Sequence, residues 1–205
     1  GDDLVEVLEE EATEDIQRIG GSEPLTHSYL GSSIVQAVRA RVGWLILLLL
    51  TTALAGTVIS LFEEQLGDTI VLAFFVPMIM GTGGNAGSQT IANVIRALAI
   101  GDVSATDALR VIWREVRSGL ILGALLAVCA YAIALVWSTS EVAVTVALSI
   151  GVVSIWGNTL GAALPLLAVR LGQDPALISG PLLTTIIDVT GLLIYFSIAR
   201  LVLGI

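Results

Sequence analysis

Pro77 to Thr90 reads PMIMGTGGNAGSQT and lies inside an apolar run long enough to cross a bilayer. A proline, four glycines, an asparagine and a glutamine are costly there, because lipid offers no partner to backbone or amide groups. Pro77 and the run GTGGN are expected to break or distort the helix, freeing carbonyls that only protein or a wet pathway can satisfy. Gly83 and Gly87, taken separately, also fit a simpler reading as small residues at a close helix contact.

The surrounding chain is that of a membrane protein. Of 205 residues, 56% are hydrophobic and 13% charged, with a mean hydropathy of +0.94, whereas soluble domains carry roughly 25% charged residues. Five apolar runs are read as spans, at about 42–62, 69–97, 116–138, 142–170 and 177–202. The expected fold is therefore all-α and integral to the membrane. An acidic connecting and interfacial region (1–41) would precede a five-helix transmembrane domain (42–205). Arg39, Arg41, Arg96, Arg110, Arg114, Arg117 and Arg170 collect on the side of the N-terminus. The positive-inside rule then places that end in the cytoplasm and, after five crossings, the C-terminus outside; the expected location is the cell inner (plasma) membrane. Trp44, Trp113 and Trp137 fall near span ends, where interfacial tryptophans belong. Without a basic patch beyond the membrane flanks, a nucleic-acid role is excluded. The single cysteine, Cys129, cannot form a disulfide within the chain and reads as a small core hydrophobe. No enzymatic role is expected.

The net charge of −9 is concentrated at the start. Residues 1–23 hold nine acids against Arg18 alone and carry −8, leaving −1 for the rest. Residues 2–19 read as an acidic helix broken by Gly20, Gly21 and Pro24; Tyr29 to Arg41 reads as an interfacial helix. The opening GDDLVEV suggests a membrane domain cut from a longer chain.

Asp188, in the fifth span, is the one acid within the span cores. If Gly180 marks the cytoplasmic boundary, eight residues carry it about 12 Å inward. A central aspartate costs roughly 2.5–3.5 kcal/mol on insertion scales, so it should face a cavity or a partner. Gly180, Thr184, Asp188, Gly191 and Tyr195 recur at helical spacing as a small or polar stripe. No basic residue lies at that depth, which favours a bound cation over a carboxylate hydrogen-bonded to a neighbouring helix. With neither thiolate nor imidazole available there, the ligands are oxygens, a set that suits Mg²⁺ or Ca²⁺. Because Mg²⁺ sheds water reluctantly, a pore for it can accept the hydrated ion. One carboxylate does not balance a divalent charge; a twofold axis through the pore would supply two, pointing to a homodimer.

PMIMGTGGNAGSQ followed by IRALAIGD, together with DPALISGPLLTTIIDVTGLLIYFSIARL, closely resembles the transmembrane domain of the bacterial MgtE magnesium channel family. The resemblance covers nearly the whole chain, and EVLEEEATEDIQRIGG resembles the junction between that family's cytoplasmic sensor region and its connecting helix. It implies a homodimeric Mg²⁺ channel, with spans two and five lining the pore and Mg²⁺ as both cargo and regulator, without an organic cofactor. By motif match, Asp188 would bind hydrated Mg²⁺, assisted by main-chain oxygens of Gly81, Gly84, Gly180 and Thr184. Asn85, Ser88 and Gly191 would line the pore. Some family members carry asparagine where Gly180 stands, so a carbonyl contact could persist there but a side-chain contact would be lost. Asp3, Glu6, Glu11, Glu14 and Asp15 match the acids that meet the sensor region, where regulatory Mg²⁺ binds.

The rival reading is a proton- or sodium-coupled secondary transporter of divalent cations, which also uses broken helices and a mid-membrane carboxylate. A non-conducting membrane anchor is disfavoured, since it would give Asp188 and GTGGN no purpose. His27 is expected to face solvent. Ser154 and Asn158 are expected to hydrogen-bond between helices.

Overall fold

The computed structural model describes residues 13–24, 31–63, 67, 69–178 and 180–204. Among them the architecture is all-helical, with five long helices: α1 (Ile34–Leu61), α2 (Val71–Ala99), α3 (Ala108–Trp137), α4 (Ser140–Arg170) and α5 (Gly180–Leu203). Residues 13–19 add a helical segment ahead of α1. Four of these helices, α1, α3, α4 and α5, are long and apolar enough to cross a membrane. The exception is α2, which carries the glycine-rich stretch.

Local chemistry fixes the helix ends. Ser33 and Gln36 form a reciprocal capping box at the start of α1, and Ser104 with Asp107 does the same ahead of α3. At the far end of α2, Gly101 (φ 71°) closes a Schellman turn in which its N–H reaches Leu98 O and the Asp102 N–H reaches Ala97 O. Gly172 (φ 69°) ends α4 in the same way, with Gln173 N–H on Ala168 O. The expected interfacial helix does not form a separate element. Residues 34–41 run unbroken into the first long helix, while Tyr29, Leu30 and His27 lie outside the described residues.

α4 is the hub and packs on α2, α3 and α5, whereas α3 lies chiefly against α4 and α1 chiefly against α5. Half of the apolar stretch of α4 is buried. Its glycines explain the closeness of these contacts. A Cβ on Gly157 would sit 2.6 Å from Gly83 O, and one on Gly161 would sit 2.6 Å from Gly87 O. On its other side, a Cβ on Gly123 of α3 would lie 2.7 Å from Gly151 O. Gly83 and Gly87 are spaced by four residues, as are Gly157 and Gly161, so α2 and α4 meet backbone to backbone. Around these contacts Phe75, Ile79, Ile150, Leu183, Ile187 and Phe196 fill the core. The buried Tyr195 hydroxyl donates to Leu72 O at 2.9 Å, pinning α5 to the beginning of α2.

The expected break at GTGGN is absent. α2 continues as α-helix through Pro77 and all four glycines, none of which takes a positive φ. Close packing against α4 and α5 repays what glycine loses in helix propensity, so the simpler reading of Gly83 and Gly87 is correct. Ser154 also departs from expectation: its hydroxyl donates to Ile150 O of its own helix, at 2.7 Å. The Asn158 side chain is buried and faces Gly119 of α3.

Candidate functional site

α2 and α5 run antiparallel where they touch. A Cβ on Gly84 would lie 3.2 Å from Thr184 Cγ2, and one on Gly180 would lie 3.9 Å from Ser88 Oγ. Pairing 84 with 184 and 88 with 180 sets Asp188 level with Met80 and Gly81, because both helices rise about 1.5 Å per residue. The Asp188 side chain is half-buried, and among the described residues it has neither an ion-pair nor a hydrogen-bond partner. A helix-to-helix hydrogen bond therefore does not account for it there.

The face of α2 beside this level is small and polar. Gly81, Asn85 and Gln89 are exposed at four-residue spacing, and Ser88 is half-exposed. Nothing stands within 4 Å of a Cβ built on Gly81. In a continuous helix the Gly81 carbonyl keeps its intrahelical donor, but its second lone pair remains open to water or a hydrated cation. The Thr184 hydroxyl donates to Pro181 O at 2.9 Å, leaving its lone pairs as acceptors. Thus Gly81, Gly84, Asn85, Ser88, Gly180, Thr184 and Asp188 belong to one α2–α5 seam and its exposed margin. Gly191 does not: it is buried with its Cβ position 3.6 Å from Val153 Cγ1 of α4, as a packing residue within the single chain.

The N-terminal segment reaches the same end of α5. A Cβ on Gly180 would come within 3.8 Å of Ile19 O. Arg18 pairs with both Glu14 and Asp174, the latter also accepting from Ala176 N–H at 2.8 Å in the turn before α5. Gly21 (φ 73°) closes the segment with its N–H on Arg18 O and packs so tightly on Trp44 that a Cβ would lie 2.5 Å from the indole nitrogen. Trp44 is consequently half-buried, unlike the exposed Trp113 and Trp137, and its Nε1 has no hydrogen-bond partner among the described residues. The Glu23 N–H then donates to Ala40 O at 2.9 Å. Reading the sequence missed this anchorage. Its signals were Arg18 as the lone base among nine acids and the Asp174-Pro175 helix start. Of the expected regulatory acids, Asp3, Glu6 and Glu11 lie outside the described residues; Glu14 and Asp15 are half-exposed on this segment. Among the described residues no cluster of three or more His, Cys, Asp or Glu could hold a metal directly.

The seam lies within a stretch of the chain that matches a known family. Residues 76–198 match the family model described as MgtE, divalent cation transporter. The chain is 42% identical to the magnesium transporter MgtE of Thermus thermophilus over 203 residues, covering 98% of this chain and 45% of that protein. It is 38% identical to the magnesium transporter MgtE of Bacillus subtilis, over 97% of this chain and 44% of that protein. The corresponding protein of Enterococcus faecalis is 32% identical, over 98% of this chain and 44% of its own length. The chain thus spans less than half the length of these relatives, and the part it spans contains both the glycine-rich helix and the aspartate helix. On that match, from Val76 to Ile198, the chain belongs to the MgtE family of divalent cation transporters.

Proposed function

We propose that this chain forms the membrane part of a homodimeric Mg²⁺ channel, embedded in the plasma membrane, through which the hydrated ion passes passively along the dimer axis. In this reading α2 is a fifth crossing, the N-terminus is cytoplasmic and the C-terminus lies outside. The observation that carries it is Asp188: a half-buried carboxylate without a protein partner among the described residues, level with the open backbone of Gly81. Two copies of α2 and α5 around the axis would bring two carboxylates to one depth. Their charge would balance one Mg²⁺, while its waters donate to the carboxylates and to main-chain oxygens of Gly81, Gly84, Gly180 and Thr184. Asn85 and Ser88 would line the approach.

Regulation would act through the segment at residues 2–19. Asp3, Glu6, Glu11, Glu14 and Asp15 are too many like charges to press on an acidic sensor region without a counter-ion, and Mg²⁺ bridges would supply it. Glu14 also pairs with Arg18.

Asp188→Asn tests the central assignment. The change conserves size and removes both negative charges from the axis, so Mg²⁺ uptake should fall at least tenfold while the protein keeps its assembly and thermal stability. Flux at the wild-type rate in the folded variant would refute the pore role.

A further inference from the structure

Two surface features of α3 lie end to end. Near its start, Arg110, Arg114 and Arg117 line a recess of about 430 Å³ together with Asp102 and Asp107. The Asp107 carboxylate is turned to its own helix cap, accepting from Ser104 N–H at 3.0 Å and Ser104 Oγ at 2.7 Å. Among the described residues, the ion pairs belong to Arg18, and none involves these three guanidiniums. Trp113, 59% exposed, stands among them, as an aromatic anchor does at a membrane boundary.

Further along the helix, Gly123, Ala124 and Ala127 of α3 and Ala147, Gly151 and Val152 of α4 line an apolar groove, also of about 430 Å³. It exists because Gly123 lets the α3 backbone meet Gly151, while the small neighbouring side chains leave the flank of that contact unfilled. A Cβ on Gly151 would meet only ordinary contacts, Gly123 O at 3.8 Å and Ala127 Cβ at 3.9 Å. Arg117, Ala124 and Tyr131 follow at intervals of seven, two turns apart, so recess and groove share one side of α3. The α3 part of the groove, from Leu120 to Tyr131, is about 16 Å long, close to half of a hydrocarbon core about 30 Å thick.

We propose that recess and groove together hold one anionic diacyl phospholipid, its phosphate on the three arginines and one acyl chain in the groove. Guanidinium groups pair with phosphate bidentately. A zwitterionic lipid offers the same phosphate but adds a cationic group that the arginines repel. The length of the groove matches one leaflet, which selects a lipid rather than a free anion. This site is separate from the α2–α5 seam and rests only on α3 crossing the membrane.

Native mass spectrometry of the delipidated full-length protein, titrated with dioleoyl phosphatidylglycerol, dioleoyl phosphatidylcholine or glycerol 1-phosphate, tests it. Phosphatidylglycerol should bind roughly tenfold more tightly than phosphatidylcholine, and glycerol 1-phosphate should not displace it. The exposed double substitution Arg114→Gln with Arg117→Gln should erase the preference. Gly151→Leu, whose Cβ would come no closer than 3.8 Å to its neighbours and which adds bulk to the groove lining, should weaken both lipids by a similar factor. Equal affinity of the wild-type protein for the two lipids would overturn the proposal. So would a preference that survives the double substitution, displacement by glycerol 1-phosphate, or unchanged lipid binding in Gly151→Leu.

Discussion

The two sides of the α2 glycine stretch share a helix and a composition, yet they do opposite things. Gly83 and Gly87 face inward, where a Cβ would strike Val153, Ile187 and Leu183. Gly81 faces outward, where a Cβ would strike nothing. Inward glycines let helices approach; the outward one keeps a strip of backbone bare beside Asp188. The glycine-rich motif of α2 is thus a composite of two demands, separable by asking what each missing side chain would have touched.

A graded series of alanines breaks or sharpens that contrast. Gly157→Ala should have the largest effect, since its Cβ lands 2.6 Å from the Gly83 carbonyl and only backbone separation can relieve it. A loss of about 1–3 kcal/mol is expected, visible as a lowered thermal midpoint in detergent. If stability is unchanged, the inward side is not a rigid contact. Gly84→Ala should be intermediate: at 3.2 Å from Thr184 Cγ2, the neighbour must shift by a few tenths of an ångström. Combining it with Thr184→Ser, which removes that methyl group, should restore the midpoint; failure to do so would place the strain elsewhere.

Gly81→Ala should reverse the sign. The helix gains up to about 1 kcal/mol of propensity with no clash, while Mg²⁺ flux should drop if bare backbone there serves the ion. A stabilised variant with full flux would reduce Gly81 to a neutral position. The smallest effect belongs to the Arg18–Asp174 pair, part-exposed and so worth about 0.2–1 kcal/mol. A double-mutant cycle, read by protease nicking of residues 13–24, should show that coupling; additive single effects would show none.

The sequence was most informative where periodicity and apolar length act alone. The expected spans end within three residues of α1 to α5, at Leu61, Ala99, Trp137, Arg170 and Leu203. The helix starts were less legible. α1 and α3 begin eight residues earlier than expected, because their first two turns carry Arg39, Arg110 and Arg114, and capping rather than hydropathy decides where a helix begins. The unbroken course of α2 was illegible for a different reason. Glycine propensity is a local penalty, and the compensating contacts come from Gly157 and Gly161, some seventy residues later. Asp188 stood out as the lone buried acid, but its register against Gly81 required the contacts of Gly84 and Gly180. Gly191 shares the helical spacing of the stripe yet turns to Val153, since a helical repeat does not say which neighbour each turn meets.

The order of these contacts along the chain bears on how the protein enters its membrane. On the five-span reading, α2 leaves the ribosome before α4 and α5, the two helices that bury its glycine backbone. It is also less apolar, over its most apolar stretch, than the other long helices. α3 and α4, by contrast, are joined by only Ser138 and Thr139 and can insert as a hairpin. On that reading, the glycine-rich helix would meet the neighbours that cover its backbone only after its own synthesis, when the hairpin and α5 close around it.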